Sequence, residues 1–157
     1  MRKVWLLVLL SVAACSEKKE GSAGQDKAAA ALAKKEDKCP GGTVKGCFDA
    51  ALEAERKGDS ARAAEMYTRS CDAEVARACT QLGTFAWQGR GMSADPARAY
   101  SLYMRGCDGG DAAGCFSAAI CHRTGTCAEK SDAQATKLLQ RACDGGDSRA
   151  CANLGGH

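Results

Sequence analysis

The chain has 157 residues, 5% of them aromatic and 26% charged, with a formal net charge of +3. That length suits one domain or a short array of repeats, and it excludes a large enzyme with separate lobes. The basic residues form no patch or stripe, which argues against nucleic acid as a partner, and the eleven cysteines make the redox compartment the first question.

The leading residues have the layout of a secretory signal. Met1-Arg2-Lys3 is positive, residues 4–10 are apolar, and Ser11-Val12-Ala13-Ala14-Cys15 ends the run in small side chains. The run is too short to read as a membrane span. Val12-Ala13-Ala14-Cys15 resembles the bacterial lipobox, which implies cleavage before Cys15 and diacylation of its thiol. On that reading residues 1–14 are a leader and residues 15–37 a lipidated tether. Loss of Arg2 and Lys3 with the leader lowers the formal charge from +3 to +1. Residues 16–27 (SEKKEGSAGQDK) lack large apolar side chains and cannot hold a fold. Residues 28–35 read either as a short lead-in helix or as more tether. Setting Cys15 aside for lipid leaves ten cysteines, an even number suited to pairing in an oxidising compartment. The expected location is the outer membrane of a Gram-negative bacterium, on its periplasmic or surface side, with the lipid bilayer contacted through Cys15.

Residues 38–157 repeat. Cysteines fall in pairs eight apart, Cys39/Cys47, Cys71/Cys79, Cys107/Cys115 and Cys143/Cys151, with Cys121/Cys127 six apart. First members are spaced by 32, 36 and 36 residues, a period that signals stacked helix pairs. The spacing accommodates about 3.5 copies. Ala63, Met66, Tyr67, Ser70 and Cys71 lie at i, i+3, i+4, i+7 and i+8. Ala99, Leu102, Tyr103, Gly106 and Cys107 share that spacing, as do Ala135, Leu138, Leu139, Ala142 and Cys143. Such a stripe is the core-facing side of a helix. Asp95-Pro96 marks one helix start, an acidic N-cap followed by proline at the first helical position. Turn residues follow the first cysteine of a pair, as in Cys107-Asp108-Gly109-Gly110-Asp111 and Cys143-Asp144-Gly145-Gly146-Asp147. A second helix then carries Cys79, Leu82, Gly83, Ala86 and Trp87, or the smaller Cys115, Ala118 and Ala119, until Gly89 or Gly125 stops it.

The cysteine spacing carries its own geometry. Eight residues of continuous helix separate two Cα atoms by roughly 12 Å, whereas a disulfide needs them within about 7 Å. The chain must therefore reverse between paired cysteines, where the turn residues sit. The same reasoning ends the helix near Gly125 if Cys121 and Cys127 pair. Ten cysteines allow many pairings, and the repeat favours the local one. The competing chemistry is metal, for which Cys115, Cys121, His122 and Cys127 are the best set. Zinc sites usually show closer cysteine pairs, C-x2-4-C, which this chain lacks. No metal or cofactor is expected.

Leu82-Gly83, Trp87-Gln88-Gly89-Arg90-Gly91-Met92, Asp95-Pro96-Ala97-Arg98-Ala99 and Tyr100 to Tyr103 together resemble the Sel-one-like repeat. With cysteine recurring at C-x7-C, they are similar to the cysteine-rich subgroup known from Helicobacter cysteine-rich proteins. The resemblance implies an all-α, tetratricopeptide-like superhelix that binds a protein or peptide without catalysis, with an envelope protein, peptide or glycan as the partner. Trp87, Tyr100 and Tyr103 are the candidate anchors. The alternative implied by some relatives is β-lactamase or penicillin-binding activity. The chain's Ser-x-x-Lys motif is Ser16-Glu17-Lys18-Lys19, inside the expected tether, and no S-D-N or K-T-G follows it.

Overall fold

A computed structural model describes residues 39–155. Cys15, the leader, the tether, the Ser-x-x-Lys motif and the segment 28–35 lie outside the described residues. After a single turn at Pro40–Gly42 come six helices of 13 residues and a last one of 8. They are α1 (Val44–Arg56), α2 (Ser60–Asp72), α3 (Ala76–Gln88), α4 (Pro96–Asp108), α5 (Ala112–Thr124), α6 (Asp132–Asp144) and α7 (Ser148–Gly155). The described residues are all-α, as the 3.6-residue periodicity predicts.

Local chemistry sets most of these boundaries. Thr43, Asp59, Asp95 and Ser131 each accept a hydrogen bond from the backbone N–H three residues on, which opens α1, α2, α4 and α6. Pro96 stands at the first position of α4 because its missing N–H is one that no helix would use there. Gly89 and Gly125 close α3 and α5 in the left-handed conformation, at φ 68° and 73°.

Each helix packs on the next, so α1 to α6 form three antiparallel hairpins stacked side by side with α7 following. Helices α3 and α5 also touch, which places the odd-numbered helices in an inner layer and the even-numbered ones outside. Five cysteine pairs stand at disulfide distance. Cys39–Cys47, Cys71–Cys79, Cys107–Cys115 and Cys143–Cys151 have Cα separations of 4.5–4.7 Å, and Cys121–Cys127 has 5.0 Å. The local pairing is the one the structure adopts, with a chain reversal inside each pair.

The expected stripes are buried on α2 and α4, and on α6 save for Cys143, which is partly exposed. Helix α3 departs from expectation. Phe85 is 1% exposed and belongs to the core, whereas Trp87, read as part of the inward stripe, is 38% exposed. Helix α3 packs against α2, α4 and α5, so its buried arc is wider than one stripe and is centred away from Trp87. A second feature was not legible in the periodicity. Arg105 donates to the Cys71 carbonyl at 2.8 Å and Arg141 to the Cys107 carbonyl at 3.3 Å. Each arginine thus caps the C-terminus of the preceding outer helix, where a cation suits the helix dipole. The same guanidinium groups reach Asp72 and Asp108.

One turn departs from its copies. Gly110 and Gly146 take φ of 94° and 92°, and Glu74 holds the equivalent place at φ 63°. A side chain in the left-handed region costs about 1 kcal/mol, which glycine avoids. Glu74→Gly is therefore expected to raise unfolding stability by about 1 kcal/mol in urea titration, and Gly110→Ala to lower it by a similar amount.

Candidate functional site

The three aromatic residues named as anchors have three different fates. Trp87 stands at the surface near the end of α3. Tyr103 is 6% exposed and serves the core, its ring filling the space left by Gly83, where a Cβ would lie 2.7 Å from the tyrosine ring. Tyr100 is half-buried, with its hydroxyl 2.9 Å from His122 Nε2 and the two rings edge-on at 5.2 Å. The structure therefore leaves Trp87 open to a partner and turns Tyr103 inward.

His122 is oriented on both sides. Its Nδ1 lies 2.8 Å from the Glu129 carbonyl, and a carbonyl only accepts, so Nδ1 carries the proton. The other ring nitrogen, Nε2, is left to pair with the Tyr100 hydroxyl. The imidazole thereby ties the loop after α5 to helix α4. The sulfurs once grouped with it as metal ligands are committed elsewhere, Cys115 to Cys107 and Cys121 to Cys127.

A larger cluster crosses the first three helices. Phe48, Tyr67 and Phe85 form a chain of tilted rings with centroids 5.8 and 5.4 Å apart. The Tyr67 hydroxyl donates to Glu55 Oε2 at 2.9 Å, and Glu55 Oε1 accepts from Arg90 at 2.9 Å. Arg90 lies over the Phe85 ring at 4.3 Å, a cation–π arrangement. Arg90 comes from the Gly89-Arg90-Gly91 loop, in which Gly91 (φ 67°) runs against the Ser60 backbone with no room for a Cβ. That close approach is the physical reason for the second loop glycine. The cluster serves stability first, because Tyr67 is fully buried.

Burial, then the Glu55 carboxylate that accepts its proton, pushes the Tyr67 hydroxyl well above the usual tyrosine range, and burial raises Tyr103 too. A raised folded-state value adds stability that is complete below the unfolded value, about pH 10. That contribution is lost as pH rises further. Denaturant midpoints are expected to hold to about pH 9 and fall between about pH 10 and 11. Tyr67→Phe is expected to remove the larger part of that fall.

Along the inner layer, Arg77, Gln81, Thr84 and Gln88 lie on one face of α3, and Ala113, Ser117, Ile120 and Thr124 occupy the equivalent places on α5. Arg77 sits 5.8 Å over Phe48 of α1, and Arg149 of α7 sits 4.4 Å over Phe116 of α5. The arrangement is polar at its middle and carries an arginine–aromatic contact on either side. Among the described residues no helix is long and apolar enough to cross a membrane.

Known proteins place this geometry. The Sel1 repeat family matches twice, over residues 76–111 (α3 and α4) and 112–147 (α5 and α6). No curated protein matches the chain. Three solved structures share the fold. A Sel1 repeat protein from Oxalobacter formigenes is 20% identical with a TM-score of 0.66, covering 71% of this chain and 48% of its own. A protective antigen of uropathogenic Escherichia coli with an SLR fold is 18% identical with a TM-score of 0.67, covering 72% of this chain and 25% of its own. Helicobacter pylori cysteine rich protein B is 23% identical with a TM-score of 0.63, covering 85% of this chain and 98% of its own. The chain thus spans about half the length of the first and a quarter of the second. The family match falls on the helix hairpins described above, with residues 76–111 and 112–147 each similar to a Sel1 repeat.

Proposed function

We propose that the chain is a non-catalytic module that holds a protein or peptide of the bacterial envelope against its inner helices, tethered to the membrane by lipid on Cys15. Sel1 repeats generally serve protein–protein interaction. Five disulfides fit an extracellular or periplasmic location, since reducing compartments do not sustain them. The observation that carries the binding reading is Trp87. It is 38% exposed on an inner-layer helix, more than any other described aromatic side chain. Tryptophan at a surface is the side chain most often found at the energetic centre of an interface.

A photo-crosslinking amino acid placed at Trp87 or Gln81 tests this in envelope extract, with Lys137 on outer helix α6 as the control. The expected result is one species captured from both inner positions and absent from position 137. Equal capture from all three positions would sink the reading. Cys15→Ala is expected to move the protein from the membrane to the soluble fraction. A variant that stays with the membrane would remove the lipid tether and leave the binding reading intact.

A further inference from the structure

Four of the five bridges recur with the repeat, each spanning a chain reversal. Cys121–Cys127 stands outside that pattern and joins the last turn of α5 to the loop that follows, residues 125–131. The preceding copy folds the same loop, residues 89–95, with no bridge, since Phe85 and Gly91 hold the places of Cys121 and Cys127. Hydrogen bonds shape both loops alike. The N–H groups of Gly89 and Gly125 donate to the Phe85 and Cys121 carbonyls, and those of Asp95 and Ser131 donate to the Ala86 and His122 carbonyls at 2.8 and 3.0 Å. The loop after α5 has two further ties, His122 to the Glu129 carbonyl at 2.8 Å and Thr124 to Thr126 at 2.7 Å. Its shape is therefore held without its disulfide.

The two cysteines differ in access. Cys121 is 3% exposed, whereas Cys127 is partly exposed and follows the exposed residues 123–126. In Cys71–Cys79 and Cys107–Cys115 both cysteines are buried. The partly exposed Cys39 and Cys143 belong to bridges that tie the single turn Pro40–Gly42 and the short helix α7 to the array, so opening either one releases that element. A disulfide opens and closes within a folded protein when one sulfur can be reached and the backbone stays in place. Cys121–Cys127 alone among the five described bridges meets both conditions.

The reachable sulfur lies beside the inner-layer surface. Trp87 and Thr126 hold the places of Glu55 and Arg90, which meet at 2.9 Å between one inner helix and the loop after the next. The repeat thus sets Trp87 against the loop that carries Cys127.

We infer that Cys121–Cys127 is a thiol–disulfide exchange site, at which the cysteine thiolate of a protein bound beside Trp87 attacks Cys127 Sγ. The Cys121–Cys127 bond breaks and a bond from Cys127 to the partner's sulfur forms. The electron pair leaves on Cys121 Sγ, which takes up the proton that the partner thiol lost. The partner thiol is oxidised and Cys121 reduced, with no other oxidant needed. Attack by Cys121 on Cys127 reverses the step and releases the partner. The partner's place at Trp87 rests on reading the inner layer as a partner surface, whereas the exchange chemistry is tested without a partner.

The oxidised chain is incubated with glutathione, quenched with iodoacetamide and mapped by mass spectrometry, with circular dichroism recorded alongside. Glutathione on Cys127 and alkylated Cys121 are expected at least about tenfold faster than any thiol from Cys71, Cys79, Cys107 or Cys115, because exposure governs attack. The helical signal and the cooperative melt are expected to remain. In Cys127→Ala, Cys121 is expected to stay unlabelled. Opening of all bridges at similar rates, glutathione on Cys121 in place of Cys127, or loss of the helical signal as this bridge opens would each overturn the assignment. In envelope extract, Cys121→Ala removes the sulfur that releases the partner, and it is expected to accumulate a protein joined through Cys127 and freed by dithiothreitol. Adding Trp87→Ala is expected to lower that yield about tenfold, the effect of losing an interface tryptophan. No protein adduct would overturn the proposal. An adduct that Trp87→Ala leaves unchanged would sink the partner-surface reading alone, and capture through Trp87 while Cys127 resists glutathione would sink only the exchange site.

Discussion

Reduction of the five disulfides is expected to abolish the fold, read as loss of the helical circular dichroism signal and of a cooperative melt at room temperature. The core explains why. Twelve of its buried residues are alanine, and the largest fully buried side chains are only Tyr67, Phe85 and Leu82. Alanine removes little apolar surface from water, so the hydrophobic contribution per residue is small. Each C-x7-C bridge closes a loop of nine residues, which the chain-entropy model values at about 2.5 kcal/mol. Four such loops and the shorter one closed by Cys121–Cys127 together rival the 5–15 kcal/mol by which ordinary domains are stable, even if their contributions fall short of additivity. The sulfurs are also part of the core, since Cys47, Cys71, Cys79, Cys107, Cys115 and Cys121 are at most 4% exposed. Removing one bridge as Cys107→Ala with Cys115→Ala is expected to cost about 2.5 kcal/mol by urea titration. Thiol titration of the native protein is expected to find none of the ten cysteines from Cys39 to Cys151 reactive. A reduced chain that keeps its helical signal and melts cooperatively would show that packing alone suffices. The expected outcome ties the fold to an oxidising compartment.

Much of this fold is legible in the sequence because its information is local and repeated. A C-x7-C pair with a turn inside it forces a reversal, and Asp95-Pro96, Gly89 and Gly125 mark helix ends by chemistry that acts within a few residues. What is not legible depends on neighbours in space. Phe85 and Trp87 are two residues apart on one helix, and only the packing of α2, α4 and α5 around α3 decides that the first is buried and the second exposed. Tyr100 and Tyr103 are both candidate anchors in the sequence. The Gly83 gap draws in Tyr103, while His122, 22 residues along the chain from Tyr100, holds that ring at the edge. The arginine caps are regular in sequence but span 34 residues, so their periodicity shows only once the hairpins stack.

Gly114→Ala is expected to destabilise the domain by about 1 kcal/mol, an overpacking cost of order 1–3 kcal/mol offset by roughly 1 kcal/mol of helix propensity. A Cβ at Gly114 would lie 2.7 Å from the Thr80 hydroxyl and 2.8 Å from both the Cys107 nitrogen and the Tyr103 oxygen, and the last two are backbone atoms of α4 that cannot turn aside. Gly106, across the same seam, behaves differently. Its added Cβ would overlap the Thr80 hydroxyl, while its backbone neighbours, the Ala76 oxygen and Thr80 nitrogen, are farther off at 3.1 and 3.3 Å. The places equivalent to Gly106 hold Ser70 and Ala142, so a small side chain fits there when no threonine hydroxyl intrudes. In a Thr80→Ala background, Gly106→Ala is therefore expected to become neutral or stabilising, with a coupling of about 1 kcal/mol or more in the double-mutant cycle. Gly114→Ala is expected to keep most of its cost in that background. If both glycine substitutions respond alike to Thr80→Ala, backbone contact does not set the spacing of α4 and α5. If they separate as expected, the approach of these two helices, and with it the tilt between successive inner helices, is fixed by the absence of one methyl group at Gly114.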